Sequence, residues 1–130
     1  PVAQGVLAGK YEPGAPLPAG SRATDAKGGE NFIRPFLREE VLFRVQKLKP
    51  IADGLGLTMA QLAVAWVLQN PNVAAAIIGA SRPEQVAENV KASGVVLPAE
   101  AMAAIDEALG DVVVSDPGQT AERGPKSRPS

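Results

Sequence analysis

The sequence contains neither cysteine nor histidine. Without cysteine there are no disulfides and no thiolate metal sites, and without histidine the commonest general base and the commonest metal ligand are missing. A Ser-His-Asp triad or a zinc mechanism is therefore excluded for these residues acting alone. We assign no metal ligands in the chain.

The sequence also lacks an excess of charge of one sign and a long apolar run. Lys and Arg number 13 against 14 Asp and Glu, so the net charge is −1 and nucleic acid is not an expected partner. No apolar run reaches the roughly 18 residues of a membrane span, so a membrane is not expected either. Residues 1–5 have neither a basic segment nor a long apolar one, which makes the cytoplasm the expected location.

Two segments are rich in proline and glycine. Glu12–Asn31 is predicted to be a long loop, and loops of this length in a compact domain tend to be lids or other functional segments. Residues 115–130 are polar and rich in Pro, Gly and Ser, so we expect a disordered tail after a domain at 1–114. Because the chain opens at Pro1, in what looks like a strand-to-loop transition, we expect it to belong to a longer protein.

Apolar residues at three- and four-residue steps predict helices over much of the chain. A helical pattern runs from Arg38 to Leu55, and Pro50 should kink or split it. Thr58 and Gln61 have the spacing of a capping box, which begins a second helix. Gln61 is the only polar residue between Ala60 and Leu68, so this helix should be covered on nearly every side. A last helix is predicted at about 98–109.

The short apolar run Val73–Ile78 is typical of a strand that is buried on both faces in a parallel sheet. Gly79 and Ala80 then form a turn, and Ser81-Arg82-Pro83-Glu84 repeats the capping pattern at the start of another helix. The order of strand, glycine turn and helix indicates a βα unit of an α/β protein, in which ligands bind at the carboxyl ends of strands. The other strands of the sheet should precede Pro1.

The helix after this turn has a polar face that predicts a nucleotide site. Ser81, Gln85, Glu88 and Asn89 share that face at helical spacing. The helix start and Arg82 favour a phosphate, while Glu88 and Asn89 offer an acceptor and an amide to a purine amino group. On the pattern alone, an ordinary amphipathic helix with a solvated polar side is the simpler interpretation.

Two better-known nucleotide motifs are absent. The segment from Gly5 to Lys10 is one residue too short for a phosphate loop, and Tyr11 stands where Ser or Thr should bind magnesium. No G-x-G-x-x-G follows a strand, so a Rossmann fingerprint is missing too. Lys10 and Arg22, at the two ends of the long loop, could meet a phosphate together, although each alone is typical of a solvated surface charge.

Four groups of residues together resemble the C-terminal part of an aldo/keto reductase: Pro1–Tyr11, Ser21-Arg22, motifs within Leu57–Trp66 and motifs within Ile78–Asn89. The resemblance covers nearly residues 1–110. It is strongest to the branch with the beta subunits of voltage-gated potassium channels and related bacterial reductases. It implies an α/β fold, here the C-terminal part of a (β/α)8 TIM barrel, which binds NADPH without a Rossmann fold and passes hydride to aldehydes and ketones.

The resemblance also implies a set of cofactor contacts. The loop after the seventh strand would contact the pyrophosphate and ribose through Pro1, Val2, Gln4 and Gly5. Phosphates would be clamped from the long loop, acting as a lid, by Lys10 and Arg22. Gly79 and Ser81 would follow the eighth strand. The adenosine would be held by Gln85, Glu88 and Asn89, with Arg82 near the 2′-phosphate.

The family's catalytic Asp, Tyr, Lys and His lie in the first half of the barrel, and none of those positions is present here. Tyr11 does not correspond to the catalytic Tyr, so we assign no catalytic residue and expect the 130 residues alone to reduce no carbonyl compound. The expected partner is a small-molecule carbonyl substrate. The sequence leaves open whether the protein forms a homo-oligomer. An NADPH-sensing regulatory subunit and a helical scaffold without a ligand are the alternatives.

Overall fold

The computed structural model describes residues 1–123, and these residues fold into short helices around one apolar core. The α-helices are α1 (Gly29–Ile33), α2 (Glu39–Gln46), α3 (Lys49–Gly54), α4 (Met59–Leu68), α5 (Pro83–Val90), α6 (Ala99–Leu109) and α7 (Pro117–Arg123). Short 3₁₀ segments lie at Ala3–Ala8, Arg22–Thr24, Arg34–Phe36 and Gly110–Val112. The largest fully buried side chains are those of Val6, Tyr11, Ile33, Val45 and Ile105.

The predicted break at Pro50 is confirmed. Helix α2 ends at Gln46, and α3 begins at Lys49 with Pro50 in its first turn. A proline is tolerated there because the first amides of a helix have no partner within the helix. Arg44 of α2 pairs with Asp111 at 2.7 Å, which ties α2 to the segment that follows α6.

Helix α4 is the central element, as its composition predicts. None of its ten residues is exposed, and Gln61 to Ala65 are buried. Its capping box is formed: the Gln61 amide N–H donates to Thr58 Oγ1 at 3.1 Å, and the Thr58 amide N–H donates to Gln61 Oε1 at 2.9 Å. These two bonds satisfy amides that a helix start otherwise leaves unpaired.

The prediction of a buried strand at Val73–Ile78 is wrong for the structure as described. Residues 1–123 contain no strand, and Ile77 is 89% exposed. Ala76 and Ile78 pack against the core on either side of it, which is the alternation of an extended chain. A strand is defined by hydrogen bonds to a neighbour, and the described residues supply no neighbouring strand, so the barrel portion is not confirmed.

The C-terminal elements agree with the sequence in part. Helix α6 buries Ile105 and Leu109 and ends before Gly110, as predicted. The tail is predicted to lack structure, but Pro117–Arg123 is helical, and 124–130 lie outside the described residues.

Within 1–123 no single helix is long and apolar enough to cross a bilayer. The span Glu39–Gly54 and α4, which are bent by 90° relative to each other, meet the length and composition test only when taken together.

The capping box of α4 can be tested by Thr58→Ala. We expect the free energy of unfolding of the complete protein to fall by about 1 kcal/mol, because an amide at the helix start loses its acceptor. Urea unfolding measures this, with Ser93→Ala at an exposed turn as the control. Equal stability of the two variants would show that the cap does not contribute.

Candidate functional site

The first cluster of predicted site residues lies on the opening segment. Ala3 and Gln4 both have positive φ, 46° and 60°, which is uncommon for residues other than glycine. This backbone presents the Gln4 side chain to the long loop, where Arg22 Nη1 donates a hydrogen bond to Gln4 Oε1. The structure therefore brings Gln4 and Arg22 together, although they are 18 residues apart in sequence.

Lys10 belongs to the same cluster. A Cβ atom on Gly5 would lie 3.0 Å from Lys10 Cε and 3.2 Å from Nζ, so the lysine side chain lies directly against the bare backbone of Gly5. Gly5 has φ +98°, a conformation that other residues rarely adopt. Lys10 Nζ is also 5.3 Å from the centre of the Tyr11 ring. Gly5 is thus favoured by its backbone conformation, and Lys10 lies close beside it.

Two buried hydroxyl groups next to these cations lack a partner within residues 1–123. They are Tyr11 Oη, beside Lys10, and Ser21 Oγ, beside Arg22. Tyr11 is 1% exposed and Ser21 8% exposed. An unpaired buried hydroxyl costs about 1–3 kcal/mol, so polar groups from outside the described residues are expected to complete this region. A phosphate-bearing ligand or further protein chain would each supply such groups.

The second cluster surrounds the start of α5, and its capping differs from the prediction. Ser81 does not cap the helix; instead Gln85 Oε1 accepts from the Ser81 amide at 2.8 Å, from Ser81 Oγ at 3.1 Å and from the Arg82 amide at 3.2 Å. Gln85 therefore holds the loop that precedes α5. Its carboxamide oxygen is used internally, and its NH₂ group is the part left to meet a ligand.

An anion at the start of α5 would depend on Arg82 more than on helix amides. Pro83 has no amide hydrogen, and the Glu84 carboxylate lies in the first turn. Arg82 is exposed. In the described part of the chain no carboxylate oxygen lies within 4.0 Å of the side-chain nitrogens of Arg82, Lys10 or Arg22, so none of the three cations forms an ion pair there.

The orientation of α5 differs from the one that its amphipathic pattern predicts. Gln85 and Asn89 are half-buried, whereas Val86 and Val90 on the opposite side are 49% and 61% exposed. Ser81 and Glu88 of the same polar face stay exposed, and Gln61 of α4 donates from Nε2 to the Glu88 carbonyl at 2.9 Å and to Glu88 Oε2 at 3.3 Å. The sequence pattern assigns Gln61 only to the cap. Gln61 is also the one polar residue in an apolar stretch, and this is a signal of its second role, the hydrogen bonds to Glu88.

The first turn of α4 contacts both clusters. A Cβ atom on Gly9 would lie 3.3 Å from Met59 Cγ, which places the opening segment against this turn. Two residues further on, Gln61 reaches Glu88. Both groups of predicted cofactor residues are therefore anchored to the same end of one buried helix.

The remaining predicted residues have less specific surroundings. The Val2 carbonyl accepts from the Gly5 and Leu7 amides at 2.9 and 3.2 Å, which shapes the opening segment. Pro1 and Gly79 are exposed. A binding role for these residues, and for the rest of the predicted set, stays a prediction.

A cavity of about 560 Å³ lies at the other end of α4. Trp66, Asn70, Val73, Met102 and Asp106 contribute to its lining, and none of the predicted site residues does. Among residues 1–123 no three acidic side chains come together as metal ligands would. The cavity and the two polar clusters are thus separate features at opposite ends of α4.

Comparisons with known proteins identify the family to which the chain belongs. The sequence model of the aldo/keto reductase family matches residues 1–109, and the chain belongs to that family. The fold of this family is a (β/α)8 barrel.

Several curated relatives are similar over most of the chain. A protein named "Probable voltage-gated potassium channel subunit beta" from Arabidopsis thaliana is 49% identical over 96 residues, and one of the same name from Oryza sativa subsp. japonica is 45% identical. Each match covers 74% of this chain and 29% of the relative. An L-glyceraldehyde 3-phosphate reductase from Escherichia coli O157:H7 is 36% identical over 113 residues, which are 85% of this chain and 32% of that enzyme. The chain thus spans about a third of the length of these relatives.

The role of Gln85 in holding the loop before α5 can be tested with two variants of the complete protein. Gln85→Leu removes the acceptor of two backbone amides and should lower the free energy of unfolding by about 0.5 to 1 kcal/mol. Gln85→Glu keeps an acceptor at the start of a helix, so its stability should stay within about 0.5 kcal/mol of the wild type. Urea unfolding distinguishes them, and an equal loss in both would argue against the loop-holding role.

Proposed function

We propose that the complete protein is an NADPH-dependent aldo/keto reductase that reduces aldehydes or ketones. This chain would supply the last two barrel strands, the loops that bind the cofactor, and covering helices. The observation that carries the proposal is the anchoring of two clusters, one with unneutralised cations and one with purine-compatible groups, at the same end of α4.

The side chains in these clusters suit the parts of the nucleotide. Lys10 and Arg22 would bind phosphates, since a guanidinium and an ammonium are the usual partners of such anions. The adenine would lie by Glu88 and Asn89, with the free NH₂ of Gln85 nearby. Pro1, Val2, Gln4 and Gly5 would approach the pyrophosphate and ribose, and Arg82 the 2′-phosphate.

When bound, the reduced nicotinamide supplies the hydride, and the protein supplies binding and orientation. In this division the described residues hold the nucleotide, and the proton donor to the carbonyl oxygen would come from residues beyond this chain. The substrate is proposed as a class, the aldehydes and ketones. The cytoplasmic location and a homo-oligomer remain predictions.

Exposed apolar side chains support the barrel as the complete fold. Ile77 and Val96 are 89% and 83% exposed, and Val86 and Val90 are exposed on the outer side of α5. Packing of these side chains against neighbouring parts of a complete barrel would remove their apolar surface from water. In the proposed barrel the residues 73–78 pair with neighbouring strands, which satisfies their backbone groups and covers Ile77.

A second function is favoured by the names of the more similar relatives. Two of them are named as potassium channel beta subunits, at 49% and 45% identity. A barrel that binds NADPH and reports its state to a partner protein would use the same two clusters. The two functions differ in turnover: a reductase oxidises NADPH in the presence of a carbonyl compound, and a sensor binds NADPH without steady turnover.

The charge of the proposed phosphate contacts gives the test. Three variants of the complete protein are compared: Lys10→Ala, Arg22→Ala and Arg82→Ala. Each should weaken NADPH binding by about tenfold, because each removes a charged hydrogen bond of the kind that contributes about 1.5–3 kcal/mol. Loss of a residue that contacts the 2′-phosphate should weaken NADH binding much less, because NADH lacks that phosphate. Titration of intrinsic fluorescence with each nucleotide measures both affinities.

Lys49→Ala, at an exposed lysine in the first turn of α3, is the matched control and should change neither affinity. Equal losses of NADPH and NADH affinity in all three variants would contradict a 2′-phosphate contact. Absence of NADPH binding by the wild-type protein would contradict the proposed function itself. Carbonyl-dependent oxidation of NADPH by the wild type then separates the reductase from the sensor.

A further inference from the structure

Gln61 is a buried polar residue with four hydrogen bonds. Its side chain is almost fully enclosed, the residue being 4% exposed. Two of the bonds form the capping box with Thr58, and the other two run from Nε2 to the Glu88 carbonyl and Glu88 Oε2. One side chain thus joins the start of α4 to the middle of α5.

The capping box fixes the direction of the Gln61 carboxamide. The Thr58 amide is a donor and needs the Gln61 oxygen, so the NH₂ group must point the other way. There it meets two acceptors, both from Glu88. Rotating the carboxamide by half a turn would oppose donor to donor at Thr58 and oxygen to oxygen at Glu88.

This arrangement explains why the residue is glutamine and not glutamate. Either residue completes a capping box equally well at this position. Only glutamine also offers a donor on its far side, whereas a glutamate would place a second carboxylate against that of Glu88. The choice between the two residues is therefore set by Glu88 and not by the helix start.

In the part of the chain that the structure describes, the Glu88 carboxylate has one other partner, Lys91. Lys91 Nζ pairs with Glu88 Oε1 at 2.6 Å, but both side chains are half-exposed or more, and exposed pairs of this kind contribute little. The Gln61 side chain that donates the other bond is buried, whereas the Glu88 carboxylate that accepts it is half-exposed. Each carboxylate oxygen has two acceptor positions, so Glu88 retains capacity for a ligand after both bonds are formed.

We propose that Gln61 is a positioning residue that aims the Glu88 carboxylate at the amino group of the cofactor's adenine. The proposal deepens the proposed function and rests on it, because it assumes that the adenine lies by Glu88. Gln61 itself does not contact the nucleotide. It acts through Glu88, so its loss should be felt only by nucleotides that carry the amino group.

The test compares NADPH with its hypoxanthine analogue, which has a carbonyl oxygen in place of the adenine amino group. Dissociation constants of the complete protein for both are measured by fluorescence titration. The wild type should prefer NADPH by about tenfold, since the analogue leaves a charged acceptor without its donor. Gln61→Glu and Gln61→Leu should each reduce this preference to about twofold or less, mainly by weakening NADPH.

Thr58→Ala is the matched control, because it weakens the same cap while leaving the Gln61 donor in place. It should lower thermal stability and keep the preference for NADPH. Gln61→Glu retains the cap acceptor, so it serves if Gln61→Leu does not fold. In the background of Glu88→Ala, which should itself abolish the preference, Gln61→Glu should change the ratio of the two constants no further.

The other outcomes overturn the proposal. If the Gln61 variants weaken both nucleotides equally and keep the preference, Gln61 is structural only. If the wild type binds both nucleotides equally well, Glu88 does not accept a hydrogen bond from the adenine amino group. If the wild type binds neither nucleotide, the proposed function fails as well, and this outcome is distinct from the first two.

Discussion

The structure depends on a buried amide in the first turn of helix α4. Gln61 closes the cap with Thr58 and, with its other end, fixes α5 through Glu88. A buried polar side chain is stable only when its donors and acceptors are paired, so this one side chain requires two backbone segments, the start of α4 and α5, to keep their relative positions. Because Met59 in the same turn contacts the opening segment, the two polar clusters share one support.

The elements that could be predicted are those whose signals are local. The capping box at Thr58, the break at Pro50 and the enclosed helix α4 each follow from neighbouring residues and are confirmed. The secondary structure of Val73–Ile78 could not be predicted in the same way, because an apolar run indicates burial but not the type of element. Whether it becomes a strand depends on partners, and residues 1–123 provide none.

The candidate site shows the same division. The residues around Arg82 and Glu88 were identified from their spacing and from the family resemblance, but the contacts between distant segments were not. The bond from Arg22 to Gln4 joins residues 18 positions apart, and that from Gln61 to Glu88 spans 27. Hydrophobic periodicity predicts that Val86 and Val90 face the core, whereas both are exposed and Gln85 and Asn89 are half-buried.

The chain belongs to the aldo/keto reductase family, and the proposed function places a nucleotide across the opening segment and α5. The most direct measurement is a crystal structure of the complete protein with NADPH. The account predicts phosphates at Lys10 and Arg22, and the adenine amino group within hydrogen-bond distance of a Glu88 oxygen that also accepts from Gln61. A nucleotide bound away from both clusters, or a Glu88 turned from Gln61 toward solvent, would contradict it.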